Sequence, residues 1–238
     1  MRTVIIGYGK MGRAIEKAAM ERGHKVILKI DKYNSDQLIP DMIGGADVAF
    51  EFSTPETAES NVNACIDAGV PVVCGTTGWT DRLAVSETRC KETGGTFLYG
   101  SNFSIGVNIM FQINRWLAEV MNKFPEFSPS ISEIHHIHKK DSPSGTAVTL
   151  AGDISEKSTR IKNWTNEHTD DPDILDVISE RTGEVPGTHT VTYKSPLEIL
   201  EISHRALDRS VFAAGAVMAA EFLKEKTGVF RMEDLLKF

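Results

Sequence analysis

Up to residue 105 the chain alternates short β-branched, apolar runs with segments whose apolar positions recur every three or four residues. Thr3–Ile6 is such a run and ends in a glycine turn. Met11–Arg22 follows as a helix, with Met11, Ile15, Ala18 and Ala19 on one face and Gly23 as its stop. Lys25–Ile30 predicts a second strand, closed by Asp31, and Asp47–Phe52 a third. Thr54-Pro55 reads as the N-cap and first-turn proline of a helix lined by Ala58, Val62, Cys65 and Ile66 and ended by Gly69. Val70–Cys74 and Thr96–Tyr99 predict strands four and five. The alternation predicts an α/β fold whose N-terminal part is a Rossmann-like, doubly wound parallel sheet. Ligands of such sheets bind beyond the carboxyl ends of the strands, where the polar loops at Gly7, Asp31, Ser53, Gly75 and Ser101 fall.

The pattern changes after residue 105. Val107–Lys123 predicts a long apolar helix and Ser130–Ile137 a strand. Ser142-Pro143 then caps a helix whose buried face is Ala147, Leu150, Ala151 and Ile154. Ile174–Arg181, His189–Lys194 and Leu197–Ser203 predict strands, with hairpin-like connections at Gly183–Gly187 and near Pro196. These features predict a second, α+β domain built on a mixed sheet. Residues 158–173 read as an exposed loop, and Arg209–Lys226 as an apolar helix that packs back on another layer. The expected division is a dinucleotide-binding domain over 1–105, a substrate-binding and oligomerisation domain over 106–208, and a returning helical segment over 209–238.

Composition narrows the function classes. The chain is 41% hydrophobic and 25% charged, as in a soluble globular protein. Its net charge of −7 gives no support to a nucleic-acid partner. Cys65, Cys74 and Cys90 follow no metal-ligand spacing and fit a reducing compartment. Met1-Arg2 leads straight into an apolar strand, and no apolar run reaches membrane-span length. A cytoplasmic protein without a signal peptide is expected.

Two segments carry chemistry. Gly7-Tyr8-Gly9-Lys10-Met11-Gly12 lies between a predicted strand and a predicted helix. Such glycines allow the tight turn and the close approach of a pyrophosphate to a helix N-terminus. Asp31 ends the next strand about twenty residues on, where a ribose hydroxyl would be read. The competing reading is a plain β–α turn beside an unrelated aspartate. Asp31 favours NADH, whereas Lys32 could meet the 2′-phosphate of NADPH, so either cofactor is open.

The second segment, Glu133–Ala147, reads EIHHIHKKDSPSGTA. Imidazoles hold protons near neutral pH, lysines carry fixed charge, and a Ser/Gly/Thr turn opening a helix presents N–H groups to an anion. This combination points to a site that binds a carboxylate-bearing small molecule and protonates it. If the strand stays extended, His135, Ile137 and Lys139 share one face, and His136 and His138 the other. A zinc site on His136 and His138, a solvated basic loop and a core histidine are the alternatives. No third and fourth zinc ligands are legible, so no metal is expected.

HHIHKKDSPSGTA resembles the signature of the dihydrodipicolinate reductase family, the 4-hydroxy-tetrahydrodipicolinate reductases of lysine and diaminopimelate biosynthesis. The resemblance extends to GYGKMG, to GTTGW at Gly75–Trp79, to SNFSIGVN at Ser101–Asn108 and to ISHRALDRSVFAAGAV at Ile202–Val217. It implies an oxidoreductase that passes hydride from NADH or NADPH to a small cyclic dicarboxylate and protonates the ring. It further implies His135 as acid/base, Lys139 as proton donor, and His136, Ser144, Gly145 and Thr146 as the carboxylate grip. Gly7, Tyr8, Gly9, Lys10, Met11, Asp31, Gly75, Thr76, Thr77, Ser101, Asn102, Phe103 and Ser104 would line the cofactor, and the assembly would be a homotetramer.

Two departures stand out. Ile137 occupies a position where the family often has arginine, whose role is either absent here or supplied by Arg209 or Lys140. Only Lys32–Gly45 separates strand two from the approach to strand three, too short for an ordinary crossover helix. An amino-acid dehydrogenase acting on an aspartate-like substrate and a non-enzymatic nucleotide sensor are the rival readings.

Overall fold

The computed structural model describes Met1–Lys237 and resolves two compact units, Met1–Ser104 with Ser210–Phe238, and Ile105–Arg209. The first unit opens with β1 (Arg2–Ile6), α1 (Lys10–Glu21) and β2 (Lys25–Ile30). Next come α2 (Pro40–Ile43), β3 (Val48–Glu51), α3 (Pro55–Asp67), β4 (Val72–Cys74), α4 (Leu83–Thr93) and β5 (Thr96–Tyr99). α3 buries the expected Ala58, Val62, Cys65 and Ile66. The Lys32–Gly45 connection holds only a 3-10 turn at Ser35–Gln37 and the four-residue α2, so the crossover helix is reduced to a single turn. No apolar stripe in the sequence marks α4, which buries only Ser86 and Cys90.

The second unit contains α5 (Ile105–Met121), β6 (Ser128–His135), α6 (Gly145–Lys157), β7 (Asn163–Thr165), β8 (Ile174–Arg181), β9 (Thr188–Lys194) and β10 (Ile199–Arg205). Its sheet runs β10-β9-β6-β8-β7 and is mixed, as expected. β9 lies antiparallel to β6 and β10, whereas β8 is parallel to β6 and β7. Met110 and Leu117 of α5 and Leu150 and Ile154 of α6 pack over Ile131, Leu175, Val177 and Val191 of the sheet.

Three expectations for this unit need correction. Residues 158–173 are not wholly loop, because β7 forms an edge strand there. The Gly183–Gly187 connection is not a hairpin, since β6 lies between β8 and β9. The strand expected over Ser130–Ile137 ends at His135. Beyond it the amides of His136 and Ile137 bond the crossing loop, at the Val185 and Gly183 carbonyls, instead of a neighbouring strand.

Beyond the second unit, α7 (Ser210–Phe222), β11 (Gly228–Arg231) and α8 (Met232–Leu235) belong to the first. The helix expected to reach Lys226 stops at Phe222, and 228–231 form a strand pairing in parallel with β5. The first sheet is therefore six-stranded and parallel, in the order β11-β5-β4-β3-β1-β2. α7 packs against α1. Among the described residues no helix is long and apolar enough to cross a membrane.

Candidate active site

In the first unit the expected cofactor residues follow the carboxyl ends of β1, β2, β4 and β5. Gly7 has φ +91°, and a Cβ there would strike the Phe52 carbonyl. A Cβ on Gly12 would strike the Gly7 carbonyl, and one on Gly75 the Phe52 ring. Gly9 differs, because a Cβ there would meet nothing within 4 Å. Packing thus requires Gly7, Gly12 and Gly75, whereas Gly9 opens onto space at the N-terminus of α1. Gly9 caps that helix without any side-chain hydrogen bond, so no capping side chain competes with an anion for the first-turn amides.

The surrounding loops are tied down from below. Buried Glu51 accepts from the Ser53 hydroxyl and from Asn61 Nδ2 at 3.2 Å, and Cys74 Sγ lies 3.1 Å from its other oxygen. The Ser53 amide donates to Thr76 Oγ1 at 2.9 Å, and buried Trp79 donates to the Thr76 carbonyl at 2.8 Å. Thr77 and Ser101 are exposed, while Phe103 is buried against Phe52 with ring centroids 5.4 Å apart. The Ser104 amide donates to Asn102 Oδ1 at 2.8 Å. Tyr8 donates to Glu16, with Lys29 Nζ 4.8 Å from its ring centre. Asp31 is exposed, and its Oδ1 accepts from the Tyr33 amide at 2.8 Å.

In the second unit the histidine segment is organised by Glu133, whose side chain is wholly buried. Sheet register sets Glu133 opposite His189 on β9 and Ser179 on β8. Glu133 Oε1 accepts from the Ser144 amide at 3.0 Å and from Arg181 Nη2 at 2.9 Å. Glu133 Oε2 lies 2.6 Å from His135 Nδ1, an ion-pair distance at which the ring N–H is not well aligned on the oxygen. Burial alone would raise the Glu133 pKa, but the bonds from His135, Ser144, Ser179 and Arg181 outweigh it and hold the carboxyl well below its ordinary value.

His189 stacks edge-on against His135, with ring centroids 5.0 Å apart, and its Nε2 is 3.1 Å from Ser144 Oγ. Burial, then the neighbouring His135, push the His189 pKa down to about 3, so this ring is neutral. Glu133, His135 and His189 bring potential metal-ligand atoms within 4.8 Å of one another. Arg181 already supplies a cation to that carboxylate, which favours a hydrogen-bonded cluster over a metal centre.

The loop after β6 carries the remaining groups. Lys139 Nζ donates to both oxygens of Asp141, at 2.8 and 2.7 Å, and Arg181 Nη2 donates to the Asp141 carbonyl at 2.6 Å. His138 meets Glu184 at 3.1 Å, out in solvent. Burial, then Arg209, depress the His136 pKa. Ser144 caps α6, its Oγ accepting from the Ala147 amide at 3.3 Å. A Cβ on Gly145 would meet nothing within 4 Å, so this helix start also opens onto space.

Residues 1–103 match the family model described as dihydrodipicolinate reductase, N-terminus, and residues 106–236 its C-terminus counterpart. A 4-hydroxy-tetrahydrodipicolinate reductase from Christiangramia forsetii is 44% identical over 236 residues, covering 99% of this chain and 98% of that protein. The chain belongs to the dihydrodipicolinate reductase family. The enzyme of the same description from Methanopyrus kandleri is 39% identical over 83% of this chain and 74% of its own length. In fold, the chain resembles the dipicolinate-bound dihydrodipicolinate reductase from Paenisporosarcina sp. TG-14, with TM-score 0.77, 20% identity and 97% of each chain covered.

Family membership makes the chain an oxidoreductase, and its Rossmann-type first unit implies a nicotinamide cofactor. The Gly9 opening and the first-turn amides of α1 fit the pyrophosphate of such a group. His135, His136, Lys139, Ser144, Gly145 and Thr146 all fall between the last residue of β6 and the first turn of α6. The turn after His135 breaks the expected period-two alignment of His135 with Lys139. Sequence reasoning assigned no role to Glu133, Arg181, His189 or Asp141, and missed Glu51 beneath the first site. Strand register reveals Glu133, Arg181 and His189, whereas Asp141 and Glu51 emerge from loop contacts.

Proposed function

We propose that the chain reduces 4-hydroxy-tetrahydrodipicolinate to tetrahydrodipicolinate, using NADH or NADPH, in lysine and diaminopimelate biosynthesis. In balance, a hydride and a proton enter and one water leaves. The reading rests on one observation: a single buried carboxylate, Glu133, contacts both a proton-holding imidazole and the amide-bearing start of α6. The bound dihydronicotinamide supplies the hydride. Gly7, Tyr8, Gly9, Lys10 and Met11 would hold its phosphates, Asp31 or Lys32 would read the ribose, and Gly75–Thr77 and Ser101–Ser104 would complete its site.

The substrate carries two carboxylates. The first-turn amides at Gly145 and Thr146 bind one through the helix dipole, with His136 as a further donor. The Ser144 hydroxyl and amide are already engaged with His189 and Glu133, so its part is to hold the helix start. As hydride reaches the ring, electron density rises there, and Lys139, steadied by Asp141, stabilises that charge and delivers the proton. His135 serves as the acid/base group. A homotetramer in the cytoplasm belongs to the same proposal; the exposed Leu197, Ile199 and Leu200 at the start of β10 are apolar residues that a second copy would cover.

The test is a coupled assay with dihydrodipicolinate synthase product, following NADH and NADPH absorbance in parallel. Turnover is expected, and His135→Gln should lower kcat by about 100-fold with NADH affinity unchanged. Cofactor binding without turnover would favour a nucleotide sensor, and turnover only with an aspartate-like substrate would favour an amino-acid dehydrogenase.

A further inference from the structure

We propose that Glu133 is a positioning residue that sets the tautomer of His135 and registers it against the start of α6. This inference rests on the proposed reductase reading for its kinetic consequence, though not for its structural content. The carboxylate divides its two oxygens between two tasks. Oε1 receives the Ser144 amide and Arg181, and so fixes the helix start. Oε2 sits 2.6 Å from His135 Nδ1 with the ring N–H imperfectly aligned on it; a carboxylate this close favours the ring proton on Nδ1 and so leaves Nε2 for chemistry.

The opposite edge of the ring is kept clear. Gly187, at φ +155°, closes the crossing loop, and a Cβ there would stand 3.0 Å from His135 Nε2. Any side chain at this position would crowd the edge that Glu133 turns outward. Among the described residues the other titratable groups near the ring are His136, next in the chain, Arg181 of β8, which pairs with His135 in register, and His189 of β9, beyond which lie His204 of β10 and Lys139. Among the described residues only Glu133 contacts Nδ1 as a carboxylate. Arg181 bonds the same carboxylate and keeps it ionised.

Glu133→Gln separates the two tasks. The amide oxygen still accepts from Ser144 and Arg181, while the amide nitrogen replaces Oε2 and donates toward His135 Nδ1, forcing the proton to Nε2. We expect kcat to fall roughly 100-fold, with KM and dipicolinate affinity within about threefold of wild type. Ring ¹⁵N chemical shifts of His135 should report the inverted tautomer. Glu133→Gln combined with Arg181→Met removes the half-buried cation left uncompensated by the first change, and should remain as slow.

A kcat within about threefold of wild type would overturn the proposal. So would recovery in the double variant, which would make Glu133 merely the counter-ion of Arg181, or an unchanged tautomer in a slow variant. If wild-type protein fails to turn over the substrate, the reductase reading falls, and the ¹⁵N shifts still decide the role of Glu133.

Discussion

Two helix starts in this molecule open onto empty space, and they are built differently. At α1 the cap is Gly9, with no side-chain bond, and the setting is made of backbone and glycines. At α6 the cap is Ser144, whose hydroxyl and amide are tied to His189 and Glu133, and the setting is made of buried charge. A backbone cradle suits a diphosphate that is only held. A side-chain cluster suits a molecule that must also receive a proton, because only side chains change protonation state.

The sharpest test of this contrast is Lys139→Ala. If the second site does the proton chemistry, kcat should fall about 1,000-fold in the coupled assay while NADH affinity stays put. A near-normal rate would remove Lys139 from the mechanism. Next come paired glycine changes at the first site. Gly9→Ala should fold normally yet weaken NADH binding about 10-fold by fluorescence titration. Gly12→Ala should instead cost about 2 kcal/mol of stability in urea, since its Cβ strikes the Gly7 carbonyl. Equal stability loss in both would mean that Gly9 is also structural.

A smaller effect concerns pH. His189 has its pKa lowered from 6.5 to about 3 on folding, so between those values the unfolded chain binds a proton that the folded one refuses. Stability therefore rises with pH across this window and is lost as pH falls, by about 2 kcal/mol between pH 7 and pH 5. Glu133, with its depressed pKa, adds its own loss only below the ordinary carboxylate range. His189→Gln should flatten the loss, read as urea midpoints at the two pH values. The smallest expected change is Ile137→Arg. Ile137 is 60% exposed on the turn after β6, so kcat should move less than about twofold.

The first site was legible in the sequence because backbone cradles leave glycines at fixed distances from strands and helices. Gly7, Gly9 and Gly12 announce their setting without any partner residue. At the second site, His135, Lys139 and the Ser144 cap were visible for the same local reason. Glu133, Arg181 and His189 were not, because they meet only where β8 and β9, consecutive in sequence, flank β6 on opposite sides. Nothing local in Ile174–Arg181 or Thr188–Lys194 records that arrangement. The terminal strand was hidden differently: Gly228–Arg231 offers only Val229 and Phe230 as apolar residues, too few to mark a strand.

That strand has a consequence for biogenesis. Gly228–Arg231 pairs with Thr96–Tyr99, so residues 105–209 are made between the two halves of one ladder. A nascent chain emerging from the ribosome carries a finished second unit while β5 still shows a bare edge to any passing strand. Truncation before Gly228 would leave that edge permanently uncovered, and the shortened polypeptide would aggregate though every residue of both polar sites was present.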